Sequence, residues 1–284
     1  MTHTTFADPH KILDQDQSLT RHHLAKIGIR QSQLNSLPLC KGMRILDIGC
    51  GPGLYLPHWL EITRSTDAQF TLLDHSAAAL NTCAQLALKA GAKGRVEILE
   101  SDIFCHGIPP ESFDLIFIGN TLQYVQSPAE YIKEYIFPLL KQGGTLAIRD
   151  LDCGILAVNN VDPTLVSKII QARILGCQRN STNKVTFHNP FIGRNLGQIA
   201  QDAGLRNISL KPYYCDFRHP LSPAQFEYLS ALHTSWYVED RCGILSAEER
   251  SHWRSLFEKN NPHCILEKES LFYVETEFLV TATK

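Results

Sequence analysis

The chain has 284 residues, of which 44% are hydrophobic and 20% are charged, and its formal net charge is −2. This apolar content excludes extensive disorder. The near-neutral charge, with no cluster of Lys and Arg, argues against a nucleic-acid-binding surface. No apolar run approaches the roughly 20 residues that a membrane helix requires, and residues 1–20 carry no signal-like apolar stretch. We therefore expect a cytoplasmic protein that binds neither nucleic acid nor a membrane.

Nine cysteines, an odd number, are spread along the chain without a C-x-x-C pair. Neither a zinc knuckle nor a thioredoxin-like redox motif is therefore indicated. The twelve histidines show no H-E-x-x-H spacing. We predict that the protein has no metal site and that its thiols stay reduced.

From Met43 onward, short apolar segments alternate with segments of helical periodicity. This alternation predicts an α/β fold with a doubly wound parallel sheet that is covered on both faces. The predicted strands are residues 43–49, 70–74, 96–100, 113–118, 145–149, 207–210 and 272–281. The predicted helices are residues 19–28, 54–63, 76–91, 128–140, 161–176, 195–203, 223–233 and 247–259.

These elements divide the chain into four parts. Residues 1–40 are predicted to form an N-terminal arm and helix, with a loose arm over residues 1–20, and residues 41–152 a Rossmann-like cofactor-binding core. Residues 153–206 are predicted to be a helical cover segment. Residues 207–284 contain the last two strands and a helical lid insertion at 217–268, because a sheet needs far fewer residues to turn a corner.

The first candidate ligand-binding motif ends the first predicted strand and contains Asp47, Gly49, Gly51 and Gly53. Glycines at alternate positions let the backbone turn tightly and direct its amides at a ligand. No G-K-[ST] follows, which excludes a P-loop, and the spacing differs from the dinucleotide pattern G-x-G-x-x-G. Asp47 would repel a pyrophosphate but could hold a cation, directly or through water. The motif therefore suits a sulfonium with an amino-acid tail.

Two further carboxylates follow the next predicted strands. Asp74 ends the second strand, about twenty residues after the glycines, where a carboxylate accepts ribose hydroxyls in this architecture. Asp102 follows the third strand and could accept an adenine amino group, with Ile103 beside the ring. We also include His75, directly after Asp74, among the cofactor-binding candidates. Ligands of such sheets lie at the carboxyl ends of the strands, so these residues are expected to share one site.

With these motifs, the chain resembles the class I S-adenosylmethionine-dependent methyltransferases. It is most similar to the small-molecule branch that includes the ubiquinone and menaquinone methylases and many enzymes of specialised metabolism. The matching segments are residues 43–53, 72–80, 100–104, 113–125 and 140–152, with further similarity at 19–21, 190–196, 203–205 and 243–249. The resemblance implies a seven-stranded, mostly parallel Rossmann-like sheet with an antiparallel last strand and a helical cover.

The resemblance also implies roles for individual residues. The three glycines would cradle the methionine part of the cofactor, Asn120 would bond near its amino end, and Arg21 would pair with its carboxylate. A surface position for Arg21 is an equally good interpretation. Gln123 and Tyr124 would face the gap between sulfonium and acceptor, although Tyr124 fits a core aromatic at least as well. Asp74 would hold the ribose, and Asp102 with Ile103 the adenine.

Methyl transfer requires a base only if the acceptor still carries a proton when it attacks. His188, which precedes the family-like segment at 190–196, is the first candidate for that base. Asp150, which follows the fifth predicted strand, is the second candidate, and Tyr124 completes the set of catalytic candidates.

We therefore predict methyl transfer from S-adenosylmethionine to a nitrogen or oxygen of a mid-sized organic molecule, with S-adenosylhomocysteine as product. The many aromatic residues of the cover favour an aromatic or polycyclic acceptor. One alternative is C-methylation of a quinone-like or other carbon acceptor. A second is a non-catalytic sensor or partner subunit that binds the cofactor. A nicotinamide-dependent oxidoreductase would need the other glycine spacing and no acid at Asp47.

Overall fold

The computed structural model describes residues 15–92, 94–105, 107–182 and 188–284. The first fourteen residues of the predicted arm lie outside this range. The remainder of that arm, residues 15–20, is helical, so the prediction of a loose arm is wrong there. Contacts divide the chain into two compact units. The first contains residues up to 27, residues 152–189 and 214–276, and the second contains residues 28–151, 190–213 and 277–284.

A seven-stranded sheet has the strand order β3-β2-β1-β4-β5-β7-β6. β1 pairs in parallel with β2 and β4, and Ile48 at its end is in register with Leu73 and Ile118. The carboxyl ends of these strands therefore meet at one edge of the sheet. The strands are β1 Arg44–Ile48, β2 Gln69–Asp74, β3 Val96–Glu100, β4 Phe113–Gly119, β5 Leu140–Val158, β6 Arg206–Arg218 and β7 Phe272–Thr283.

β7 runs antiparallel to β5. The Lys284 N–H donates to the Gly144 carbonyl at 3.0 Å, so the end of β7 lies beside the start of β5. Within the first unit, the Asn159 N–H donates to the Phe272 carbonyl at 3.0 Å, which pairs the opposite ends of the two strands. The predicted fold class is therefore confirmed, including its antiparallel last strand.

The predicted fifth strand, residues 145–149, is too short, because β5 extends over Leu140–Val158. Gly143 and Gly144 lie inside this strand, shortly after the predicted helix of residues 128–140. Gly143 has a φ of 73°, and the pairing of β4 with β5 shifts register at Phe113 and Leu115. Glycine is the residue that accommodates such an irregularity inside a strand. Asp150, predicted to follow the fifth strand, and Asp152 are instead buried residues within it.

Helices precede, connect and follow the strands. They are α1 Gln15–Ala25, α2 Ile27–Asn35, α3 Leu56–Ile62, α4 Ala77–Lys89, α5 Pro128–Tyr131, α6 Pro163–Thr182, α7 Leu196–Asp202, α8 Pro223–Ala231 and α9 Ala247–Phe257. Helical turns of other types are Leu122–Tyr124, Ile132–Ile136, Phe137–Leu139, Gly193–Asn195 and Leu232–Trp236. None of the helices in the described ranges is long and apolar enough to cross a bilayer.

Each unit has its own aromatic core. In the second unit, Trp59 of α3 is fully buried and its ring packs against Phe117 of β4 at a centroid distance of 5.5 Å. This contact fixes the helix that follows the glycines against the sheet. In the first unit, the His233 ring stacks on Phe257 and Tyr237, with centroid distances of 3.9 and 4.6 Å. These aromatic residues of the predicted cover therefore pack as core.

Candidate functional site

The three glycines after β1 all have positive φ angles, but their surroundings differ. A Cβ on Gly49 would lie 2.2 Å from Thr121 Oγ1, and one on Gly53 would lie 2.6 Å from Cys83 Sγ. A Cβ on Gly51 would meet no described atom within 4 Å, although its φ is 53°. The loop is thus closely packed at both ends and open at Gly51, where a ligand can approach the backbone.

Asp47 lies within β1 and is buried. The Trp59 Nε1–H donates to its Oδ2 at 3.2 Å. Burial raises the pKa of Asp47 to about 7; the Trp59 hydrogen bond partly opposes this, and the nearby Asp74 charge adds to it. The described contact thus ties Asp47 to the first helix of the core, and its role toward a cation stays a prediction.

The Asp74 carboxylate connects the end of β2 to the glycine loop. The Gly51 N–H donates to its Oδ2 at 2.8 Å, and the Ser76 N–H donates to its Oδ1 at 2.9 Å. His75 Nδ1 lies 3.4 Å from the same Oδ1. Each carboxylate oxygen has acceptor capacity beyond one N–H, so Asp74 can also accept hydroxyls. The structure brings Gly51, Asp74 and His75 together.

After β3, Asp102 is exposed and Ile103 is buried. The Phe104 N–H donates to Asp102 Oδ1 at 2.8 Å, which fixes the turn. The Phe104 ring packs edge-on against Tyr131 and Tyr135, each at a centroid distance of 5.2 Å. The two tyrosines were not among the predicted residues. Their helical spacing is consistent with an ordinary core face, so no sequence signal distinguishes them as site residues.

The segment after β4 holds three more predicted residues. Asn120 has a φ of 60°, and its buried Oδ1 has no hydrogen-bond partner among the described residues. Gln123 Nε2 donates to the Asn120 carbonyl at 3.1 Å, and the half-buried Tyr124 donates its N–H to the Thr121 carbonyl at 3.1 Å. Since Thr121 also contacts Gly49, this segment lies against the glycine loop.

Asp150 is fully buried in β5. The Leu151 N–H donates to its Oδ1 at 3.0 Å, and the Gln123 N–H donates to its Oδ2 at 3.1 Å. Burial raises the pKa of Asp150 to about 7, although the adjacent Arg149 and the two backbone donors favour the ionised form. Its described contacts are therefore with one backbone N–H of β5 and one backbone N–H of the segment after β4.

Arg21 and His188 belong to the first unit, and their predicted roles stay predictions. Arg21 Nε lies 3.6 Å from Glu227 Oε2, so the guanidinium has a carboxylate within its own unit. Burial, with a smaller contribution from the nearby Arg173 charge, lowers the pKa of His188 to about 4. The His188 imidazole is consequently neutral at pH 7 and has an acceptor nitrogen.

Comparison with known proteins identifies the class to which this fold and these strand-end residues belong. A family model described as a methyltransferase domain matches residues 39–204, which is more than half of the chain. The chain therefore belongs to this methyltransferase family, and the predicted family is confirmed.

Individual relatives are more distant. The sterol 24-C-methyltransferase erg-4 of Neurospora crassa is 29% identical over 136 residues, which cover 46% of this chain and 32% of that protein. The chain thus spans about a third of this curated relative. A solved protein of Bacillus halodurans C-125 assigned to the methyltransferases has a TM-score of 0.53 at 16% identity, covering 89% of this chain and 97% of that one. Phosphoethanolamine N-methyltransferase 2 of Haemonchus contortus, solved with S-adenosyl-L-methionine, has a TM-score of 0.53 at 16% identity, covering 100% and 60%.

Proposed function

We propose that the protein transfers a methyl group from S-adenosylmethionine to a small organic molecule, at a nitrogen or an oxygen atom. The observation that carries this proposal is the buried Asn120 Oδ1, which has no hydrogen-bond partner among the described residues and lies in the segment that contacts the glycine loop. A buried acceptor without a donor is costly unless a ligand supplies one. The ammonium group of a methionine tail is such a donor.

The other strand-end residues fit the same cofactor. The open side of Gly51 admits close approach to the backbone, and Asp74 would accept the ribose hydroxyls through its remaining lone pairs. Asp102, exposed after β3, would accept from the adenine amino group, with the buried Ile103 beside the ring. Asn120 after β4 would thus contact the amino-acid part of the cofactor, Asp74 at the end of β2 its ribose, and Asp102 after β3 its adenine.

S-adenosylmethionine supplies a methyl group that is already activated by its sulfonium. The protein's task is then mainly to orient the acceptor, and orientation of this kind is worth up to roughly 7–11 kcal/mol. Where the acceptor carries a proton, His188 is the base that we propose, because its imidazole is neutral at pH 7, and its lowered pKa makes it a weaker base than an exposed histidine. We also propose that residues 217–268 form the helical lid that the sequence predicts.

C-methylation is the second candidate function, because the curated relative erg-4 is named as a sterol 24-C-methyltransferase. That relative matches less than half of this chain, so its acceptor does not transfer directly. An N- or O-methyl product and a C-methyl product differ in the attachment of the added carbon, which nuclear magnetic resonance of the isolated product reveals.

The test is transfer of an isotope-labelled methyl group from S-adenosylmethionine to a small-molecule cell extract. We expect one or more small molecules to gain the mass of a labelled methyl group, and His188→Ala to lower the rate more than it lowers cofactor affinity. Cofactor binding without transfer to any extract would instead support the sensor interpretation. Full activity of His188→Ala would exclude that residue as the base.

A further inference from the structure

Asp150 has a buried carboxylate with an unusual set of partners for a catalytic base. Its Oδ1 accepts from the Leu151 N–H and its Oδ2 from the Gln123 N–H, at 3.0 and 3.1 Å. Gln123 lies in the short turn Leu122–Tyr124, and the first N–H groups of such a turn have no partner within it. The carboxylate therefore caps this turn from the neighbouring strand.

The same pair of strands also holds Asn120. The Asn120 N–H donates to the Arg149 carbonyl at 2.9 Å, and the Asn120 carbonyl accepts from Gln123 Nε2 at 3.1 Å. Asn120 has a left-handed backbone with a φ of 60°, a conformation that few residues other than Gly and Asn adopt. Such a conformation persists when neighbouring contacts fix it. The Arg149 carbonyl thus binds the Asn120 N–H, and the Gln123 side chain binds the Asn120 carbonyl. The Asp150 carboxylate in turn accepts from the Gln123 N–H.

We infer that Asp150 is a positioning residue, which acts through Gln123 on Asn120 and so sets the place of the Asn120 amide that receives the amino end of the cofactor. This inference rests on the proposed function. We assign Asp150 no proton transfer from the acceptor, because its side chain is fully buried and its described contacts are with backbone N–H groups. It acts on cofactor affinity rather than on the chemical step.

Asp150→Asn and Asp150→Ala separate the positioning role from a role as catalytic base. The amide oxygen of Asp150→Asn can still accept from the Gln123 N–H but cannot act as a base. Calorimetry with S-adenosylhomocysteine is the readout. We expect Asp150→Ala to raise the dissociation constant about tenfold, the size expected for one lost hydrogen bond. We expect Asp150→Asn to stay within about threefold of the parent. Asp152→Asn is the matched control, since Asp152 is also buried in β5 but its Oδ1 accepts from Gly154.

Gln123→Ala provides a second variant in case Asp150→Ala does not fold, because it removes the same link to Asn120 without emptying a carboxylate site. It too is expected to weaken binding about tenfold. Parent-like affinity in Gln123→Ala, or in folded Asp150→Ala, would overturn the inference while the cofactor assignment stands. A loss of methyl transfer by two or more orders of magnitude in Asp150→Asn, at unchanged affinity, would restore Asp150 as the base. A parent that binds no S-adenosylhomocysteine would instead defeat the proposed function.

Discussion

The Arg149 guanidinium forms an ion pair with the Glu277 carboxylate in the interior of the second unit. Arg149 Nε donates to Glu277 Oε2 at 2.9 Å, Arg149 Nη2 contacts Oε1, and neither side chain is exposed. Arg30 and Gln33 of α2 donate to the same carboxylate at 3.4 and 3.3 Å. Glu277 of β7 is thus bonded to both β5 and α2. The backbone carbonyl of the same Arg149 accepts from the Asn120 N–H.

Glu277→Ala is expected to destabilise the protein by about 3–5 kcal/mol, because removal of one partner leaves buried guanidinium charge uncompensated. The free energy of unfolding from urea titration measures this effect. The double variant Arg149→Met with Glu277→Leu removes both charges and is expected to lose less. If Glu277→Ala were as stable as the parent, the buried ion pair would not stabilise the fold as we predict.

We predict different defects for alanine substitutions at two positions of the glycine loop, weaker cofactor binding at Gly51 and lower stability at Gly49. Gly51→Ala is expected to fold, at a cost of about 1–2 kcal/mol for the left-handed backbone, because its Cβ meets no described atom within 4 Å. It should still bind S-adenosylhomocysteine at least tenfold more weakly, since the new methyl group occupies the ligand side. Gly49→Ala should mainly lose stability, because its Cβ would lie 2.2 Å from Thr121 Oγ1. Equal binding by Gly51→Ala and the parent would contradict the proposed approach of the cofactor.

The raised pKa of Asp47 predicts a pH-dependent stability. In the folded protein this pKa is about 7, above the value of 3.8 for a free side chain, so the folded state binds the proton more tightly. The contribution of Asp47 is therefore fully present below about pH 4 and is lost as pH rises toward 7. Asp47→Asn keeps an acceptor for Trp59 and should flatten the unfolding free energy between pH 4 and pH 7. Curves of equal slope in the variant and the parent would refute a protonated, buried Asp47.

In the first unit, Lys26 and Glu275 form a second buried pair. Lys26 Nζ lies 2.6 Å from Glu275 Oε1, which also accepts the Tyr228 hydroxyl at 2.9 Å. Lys26→Met should cost about 3 kcal/mol, because it leaves the carboxylate buried without its cation. Lys168→Met is the matched control, since Lys168 pairs with Glu249 on a half-exposed surface and such pairs contribute about 0–1 kcal/mol. Similar losses in the two variants would show that burial does not distinguish the pairs.

The sequence allowed prediction of the parallel core and its strand-end residues, because both follow from local patterns. Apolar periodicity marks β1 to β4, and the spacing of Gly51 and Asp74 follows from one strand, one turn and one helix. The length of β5 was not predictable, because Asp150 and Asp152 are charged but buried, and only long-range contacts stabilise them there. The partners of Glu277 lie 128 to 247 residues away in the chain, so no local pattern could reveal them.

Calorimetric titration of the protein with S-adenosylhomocysteine tests the central claim most directly, with NAD as the comparison ligand and Asp74→Ala as the variant. We predict one binding site in the micromolar range for S-adenosylhomocysteine, no binding of NAD, and affinity lowered at least tenfold in a folded Asp74→Ala, which lacks the proposed ribose acceptor. No binding of S-adenosylhomocysteine at millimolar concentration, or unchanged affinity in Asp74→Ala, would contradict the cofactor site proposed at the ends of β1, β2 and β4.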